Sequence, residues 1–111
     1  MINITDYERK IVLDIIKKFI PNCTVKIFGS RCNGKNKIYS DLDMAIISAD
    51  KNKIPLKLLG QIKNAFEESN LNFRVDVLDW YRVSDDFKKV VDSNCEIIYS
   101  NQIYSMKNKK A

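Results

Sequence analysis

Apolar residues Tyr7, Ile11, Val12, Ile15, Ile16 and Phe19 recur at spacings of three and four, the period of one face of a helix. The spacing predicts a helix over ITDYERKIVLDIIKKFI. Thr5 followed by Glu8 is the signature of a capping box at its start, and Pro21-Asn22 ends it. CTVKIF, Cys23 to Phe28, is β-branched and apolar and runs into Gly29, which reads as a strand and a turn. The basic loop NGKNKIYS follows, then the apolar run Leu42–Ser48, a buried strand. After the loop ADKNK, Pro55 is expected at the first position of a second helix, whose stripe is Leu56, Leu59, Ile62, Ala65 and Phe66. FRVDVLDW reads as a third strand. Ser84-Asp85-Asp86 opens a short helix carrying Phe87, Val90 and Val91, and CEIIYS is a final strand. The order is α-β-β-α-β-α-β, an α/β domain with a small mixed sheet flanked by helices.

The chain has 111 residues, enough for one core. Residues 1–100 are read as the domain and 101–111 as a flexible basic tail. Three cysteines form no CxxC pair and there is no histidine, which argues against a zinc site or a disulfide framework and favours a reducing cytoplasm. No apolar run approaches the roughly 18–20 residues of a membrane span. The 19 Lys and Arg outnumber 14 Asp and Glu, for a net charge of +5, which suits a phosphate-bearing ligand or nucleic acid. Phe19, Phe28, Phe66 and Phe87 sit at core-like positions and no strip of aromatic and basic residues is present, which argues against direct nucleic-acid binding. Without histidine, a general base must be a carboxylate, a lysine or a tyrosine.

The chemistry concentrates in GSRCNGKNKIYSDLDMAI, where ten residues separate Ser30 from Asp41. Side chains two apart on a strand share a face, so Asp41 and Asp43 project together. Two adjacent carboxylates repel unless a cation lies between them. An all-oxygen donor set favours magnesium or manganese over zinc. Gly29 lets the chain turn tightly, and the backbone beyond it with the Ser30 hydroxyl can hold phosphate oxygens. Arg31, Lys35 and Lys37 add positive charge. If Gly29-Ser30 and the Asp pair serve one ligand, either the first two strands run antiparallel or the loop between them crosses the whole domain, and the antiparallel pair is the simpler arrangement. Asp76 on the third strand is the favoured third carboxylate. Asp79, at the strand end, is its rival and reads as a turn residue.

These residues resemble the minimal nucleotidyltransferases (MNT) of the polymerase-β-like nucleotidyltransferase superfamily. GSRCNGKNKIYSDLDMAI matches the family's Gly-Ser, ten residues, Asp-x-Asp pattern, and VDVLD matches the segment of its third aspartate. The Arg31 and Gly34 positions also fit the MNT form, while Cys32-Asn33 depart from it. The resemblance implies the nucleotidyltransferase fold, ATP as substrate, and two Mg²⁺ ions held by Asp41, Asp43 and Asp76 as catalytic and metal-binding residues. Gly29, Ser30 and Arg31 would bind the nucleotide. The implied partner is a HEPN-family RNase toxin, with AMP transferred to a hydroxyl of that toxin, a tyrosine in the family's usual form, so as to neutralise it.

Two other readings remain at this level. One is a stoichiometric antitoxin that works by contact. The other is a small-molecule nucleotidyltransferase of the aminoglycoside type. Tyr81, Tyr99 and Tyr104, with Ile97, Ile98 and Ile103, form either a small core with an edge strand or a docking patch.

Overall fold

A computed structural model describes residues 3–32 and 40–101. It contains α1 (Asp6–Phe19), β1 (Cys23–Phe28), β2 (Leu42–Ser48), α2 (Leu56–Glu67), β3 (Val75–Asp79), a 3₁₀ turn (Trp80–Arg82), α3 (Asp85–Ser93) and β4 (Cys95–Ser100). The expected order holds, with the 3₁₀ turn added. The capping box is formed: the Thr5 hydroxyl accepts the Glu8 N–H at 3.1 Å and the Glu8 carboxylate accepts the Thr5 N–H at 2.8 Å. Pro55 lies one position earlier than expected. Its ψ is 138° and its carbonyl accepts the Leu59 N–H, so it flanks α2 as the N-cap and the helix begins at Leu56.

The sheet order is β3-β2-β1-β4. β1 and β2 are antiparallel, as the motif requires, and bring Phe28 opposite Asp43. β2 and β3 are parallel, joined by α2 as the crossover, and β4 pairs antiparallel with the other side of β1. Strand alternation divides the side chains between two faces. On one face Cys23, Val25, Ile27, Leu42, Met44, Ile46 and Val77 pack with Val12 and Ile16 of α1 and Leu59, Ile62 and Phe66 of α2. On the other, Phe28 and Ala45 meet Val91 of α3, with Leu78, Trp80, Phe87 and Cys95 around them.

Two charged groups bind this architecture together. The Asp79 side chain is fully buried. It accepts the Ile54 N–H at 2.7 Å, the Tyr81 N–H at 3.0 Å and the Arg82 Nε at 3.1 Å, while Arg82 Nη2 donates to the Ile54 carbonyl. A buried carboxylate is tolerated when its oxygens are matched by donors in this way. It ties the loop before α2 to the end of β3. On the second face Lys26 Nζ donates to Asp92 of α3 at 2.6 Å and lies 4.3 Å from the Trp80 ring centre. Among the described residues no helix is long and apolar enough to cross a membrane.

Candidate active site

The alternation that buries Leu42 and Met44 turns Asp43 to the α3 side of the sheet. The same alternation in β3 turns Asp76 to that side, and the parallel register sets Asp76 directly beside Asp43. Asp41 precedes β2 by one residue. Gly29 follows β1 with φ +79°, a conformation that suits glycine. A Cβ built there would overlap the Asp43 carboxylate. The glycine thus meets two demands, a left-handed turn and a close approach to Asp43. The Cys32 N–H donates to the Gly29 carbonyl at 3.1 Å, which closes the turn carrying Ser30 and Arg31.

Asp43 is half-buried, and its carboxyl is held above the ordinary carboxylate value. Burial is the main cause, followed by the negative charges of Asp76 and then Asp41. Asp43 therefore lies within the field of both other carboxylates at one end of the sheet. The three are not drawn into a finished ligand nest. Among the described residues no group of three His, Cys, Asp or Glu side chains converges closely enough to hold a metal as it stands. Arg74 Nε lies 3.9 Å from Asp41 Oδ2, both side chains being well exposed, and such a pair is worth little. A divalent cation would have to compete with it for Asp41. The donor set is nonetheless all oxygen and self-repelling, which fits a hard cation.

Arg31 occupies a place that the sequence did not suggest. Its side chain is buried. Nε donates to the Ser40 carbonyl at 2.8 Å, Nη1 donates to the Asn3 carbonyl at 2.9 Å, and the guanidinium lies 4.0 Å from the Phe73 ring centre. Ser30 is half-buried in the turn. Lys35 and Lys37 lie outside the described residues. Arg74, Phe73 and Asn3 were not singled out in the sequence. Only Arg74 left a signal there, two residues before Asp76 and hence on its face.

Asp79 and Asp76 are separated by the fold. Asp79 shares the packed face with Val77, while Asp76 is exposed. A cleft of about 260 Å³ beside Asp76 is lined by Lys63, Glu67, Arg74, Val75 and Val77. Another, of about 230 Å³, lies between Phe19, Pro21, Ser48, Ile54 and Leu58. It adjoins the C-terminal end of β2, away from the carboxylates, and contains none of the motif. The tyrosine and isoleucine patch is largely absorbed by structure. Tyr99 and Ile98 pack against the main core and the Tyr99 hydroxyl donates to the Pro21 carbonyl, leaving Ile97 54% exposed. Ile103 and Tyr104 lie outside the described residues.

Residues 12–104 match the family model described as Polymerase beta, Nucleotidyltransferase. The chain is 46% identical over 92 residues to the probable protein adenylyltransferase MntA of Haemophilus influenzae, covering 81% of this chain and 77% of that one. Among solved structures it resembles a toxin–antitoxin crystallised with AMP-PNP, at TM-score 0.64 and 19% identity, over 85% of this chain and 74% of the other. It also resembles a complex of tri-AMPylated Shewanella oneidensis HEPN toxin with MNT antitoxin, at TM-score 0.59 and 18% identity, over 90% and 76% of the respective chains. At these identities the two structures share the fold with this chain.

Proposed function

The chain belongs to the polymerase-β nucleotidyltransferase family, and from that premise we propose that it transfers AMP from ATP to a hydroxyl, a tyrosine in the favoured form, of a HEPN-family toxin and thereby neutralises it. The observation that carries this reading is the convergence on Asp43: the Gly29 turn packs against it, Asp76 lies beside it in register, and Asp41 is two residues away on the same face. The similarity to MntA supports the adenylyl group, and the AMP-PNP-bound and AMPylated complexes support ATP and a HEPN partner.

In this reading Asp41, Asp43 and Asp76 hold two Mg²⁺ ions, which supply charge neutralisation for the triphosphate. The Gly29 turn and the Ser30 hydroxyl bind the β- and γ-phosphates. Arg31 supports that turn from behind with its charge and its hydrogen bonds. Asp76, the exposed carboxylate, accepts the proton of the incoming hydroxyl. The freed oxygen attacks the α-phosphorus in line, the bond to the β-phosphate breaks, and pyrophosphate leaves. Catalysis is then chiefly positioning and charge stabilisation. Residues 1–100 form the transferase unit, acting in the cytoplasm; the basic tail expected over 101–111 lies, beyond Asn101, outside the described residues.

The test is transfer of label from α-labelled ATP to a HEPN-family protein, with the labelled side chain identified by mass spectrometry. Label on a hydroxyl, lost in Asp76→Asn, supports the proposal. An Asp76→Asn variant that neutralises the toxin as well as wild type, at matched concentration, would replace transfer with neutralisation by contact.

A further inference from the structure

We propose that Arg31 is a positioning residue, which locks the Ser30 turn, the approach to Asp41 and the approach to Asp76 into one geometry, and that it is not a phosphate ligand. It rests on the transfer reading above for its kinetic consequences alone. The side chain is 4% exposed, and a buried guanidinium persists only where its charge and its donors are matched. Among the described residues its contacts include three separate segments. Ser40, whose carbonyl it holds through Nε, immediately precedes Asp41. Phe73, on whose ring it stacks, immediately precedes Arg74, whose carbonyl accepts the Leu42 N–H at 2.8 Å. Asn3 accepts from Nη1 and returns its own N–H to the Arg31 carbonyl at 2.9 Å.

The arrangement explains why arginine stands at this position. The planar guanidinium can donate to two carbonyls in different directions while its face lies on an aromatic ring. Lysine carries the same charge as a single point and cannot span all three. The contacts also act where catalysis is most sensitive, because Ser30 lies on one side of the residue and the strand entrances bearing Asp41 and Asp76 on the other. A displacement of about 1 Å between such groups can cost on the order of a hundredfold in rate.

Two variants test the assignment. Arg31→Lys keeps the charge and loses the fork. Phe73→Leu removes the stack and leaves Arg31 in place. Hydrogen exchange at the Asn3 and Leu42 amides is expected to rise tenfold or more in Arg31→Lys, with the α2 amides unchanged. The kcat for AMP transfer should fall tenfold or more while KM for ATP stays within about threefold, and Phe73→Leu should show the same pattern more weakly. A rise in KM with kcat retained, together with a silent Phe73→Leu, would overturn the proposal in favour of a phosphate ligand. Exchange raised uniformly through the core, with kcat per folded molecule unchanged, would overturn it in favour of a purely structural arginine. If wild type transfers nothing yet the exchange effect remains local to residues 3 and 42, the locking role stands and the transfer reading falls.

Discussion

On one face of the sheet α1 and α2 bury Val12, Ile16, Leu59, Ile62 and Phe66 against seven strand residues from three strands. On the other, α3 offers Val91 and Phe87 to Phe28, Ala45 and Leu78, and the end of the sheet beside them carries Asp43 and Asp76. The first face is lined chiefly by apolar side chains, and the carboxylate buried there, that of Asp79, is matched by three donors. The second holds carboxylates that face one another. The contrast teaches where such a small fold can tolerate like charges. The packed face supplies the stability, and the thinly covered face can then carry groups whose mutual repulsion would be too costly inside a core.

Asp76→Asn should give the largest effect. The side chain is exposed, so stability should change by less than about 0.5 kcal/mol. Transfer should fall by about a thousandfold or more, since one charge on the reacting groups is lost. Matched thermal melts and transfer assays check both halves, and a large loss of stability would break the proposed division between the faces. Ile27→Ala tests the opposite face. Ile27 is fully buried among α1, α2 and the strands, and its truncation should cost about 2–5 kcal/mol. Denaturant unfolding measures that cost, and the variant's kcat per folded molecule should remain near wild type.

Gly29→Ala links the two faces' boundary to the site. Alanine at φ +79° is strained, and its Cβ would overlap the Asp43 carboxylate. The backbone penalty is about 1–2 kcal/mol, and displacement of Asp43 should lower transfer further than stability alone explains. A variant with normal transfer would show that the close approach of Gly29 to Asp43 is incidental.

The distribution of charge between the faces was only partly legible in the sequence. Periodicity and β-branched composition located the α-helices and strands of the described residues, because both are local properties of the chain, but gave no sign of the 3₁₀ turn at Trp80–Arg82. The antiparallel β1–β2 pair followed from asking Ser30 and Asp41 to meet. The pairing of β3 with β2 and of β4 with β1 had no such local signal, since it depends on where the α2 crossover lands. Arg31 illustrates the same boundary. Its neighbours in sequence suggest an anion site, whereas its partners Asn3, Ser40 and Phe73 are brought together only by the fold. The competition between Arg74 and any cation for Asp41 is likewise a product of the β2–β3 register. Asp79 and Asp76 differ by burial. Alternation in the sequence already turns Asp76 away from the apolar side, whereas Asp79 reads there only as a turn residue at the strand end. The burial of Asp79 depends on donors from Ile54 and Arg82 that the fold brings in.

The raised carboxyl of Asp43 gives a smaller, pH-dependent effect. In the folded protein Asp43 keeps its proton above the ordinary value of 3.8, chiefly through burial and then through Asp76 and Asp41. The unfolded chain releases that proton earlier. This group therefore favours the folded state below pH 3.8, and its contribution declines as pH rises through the raised value. Without cation, the difference in melting temperature between Asp43→Asn and wild type should grow in the variant's favour across that interval. Mg²⁺ with ATP should reverse the order at neutral pH, because binding stabilises only the wild-type site. Parallel curves with no crossing would remove the electrostatic account of the second face.

The smallest effect is expected from Asp92→Ala, which probes how α3 is held. The Lys26–Asp92 pair is short at 2.6 Å, but the Asp92 side chain is 51% exposed, so solvent screens it and its worth is about 1 kcal/mol or less. Lys26 also lies 4.3 Å from the Trp80 ring centre and keeps that contact in the variant. The loss should therefore be local. Amide exchange along Asp85–Ser93 should quicken while α1 and α2 remain protected, because those helices rest on the other face. Transfer should stay within about twofold, since Lys26 and Asp92 bond to each other and stand outside the Gly29 turn and the three aspartates. A variant that loosened α1 and α2 as much as α3 would mean that the two faces unfold as one unit, and that the thin layer contributes to global stability as well as to its own.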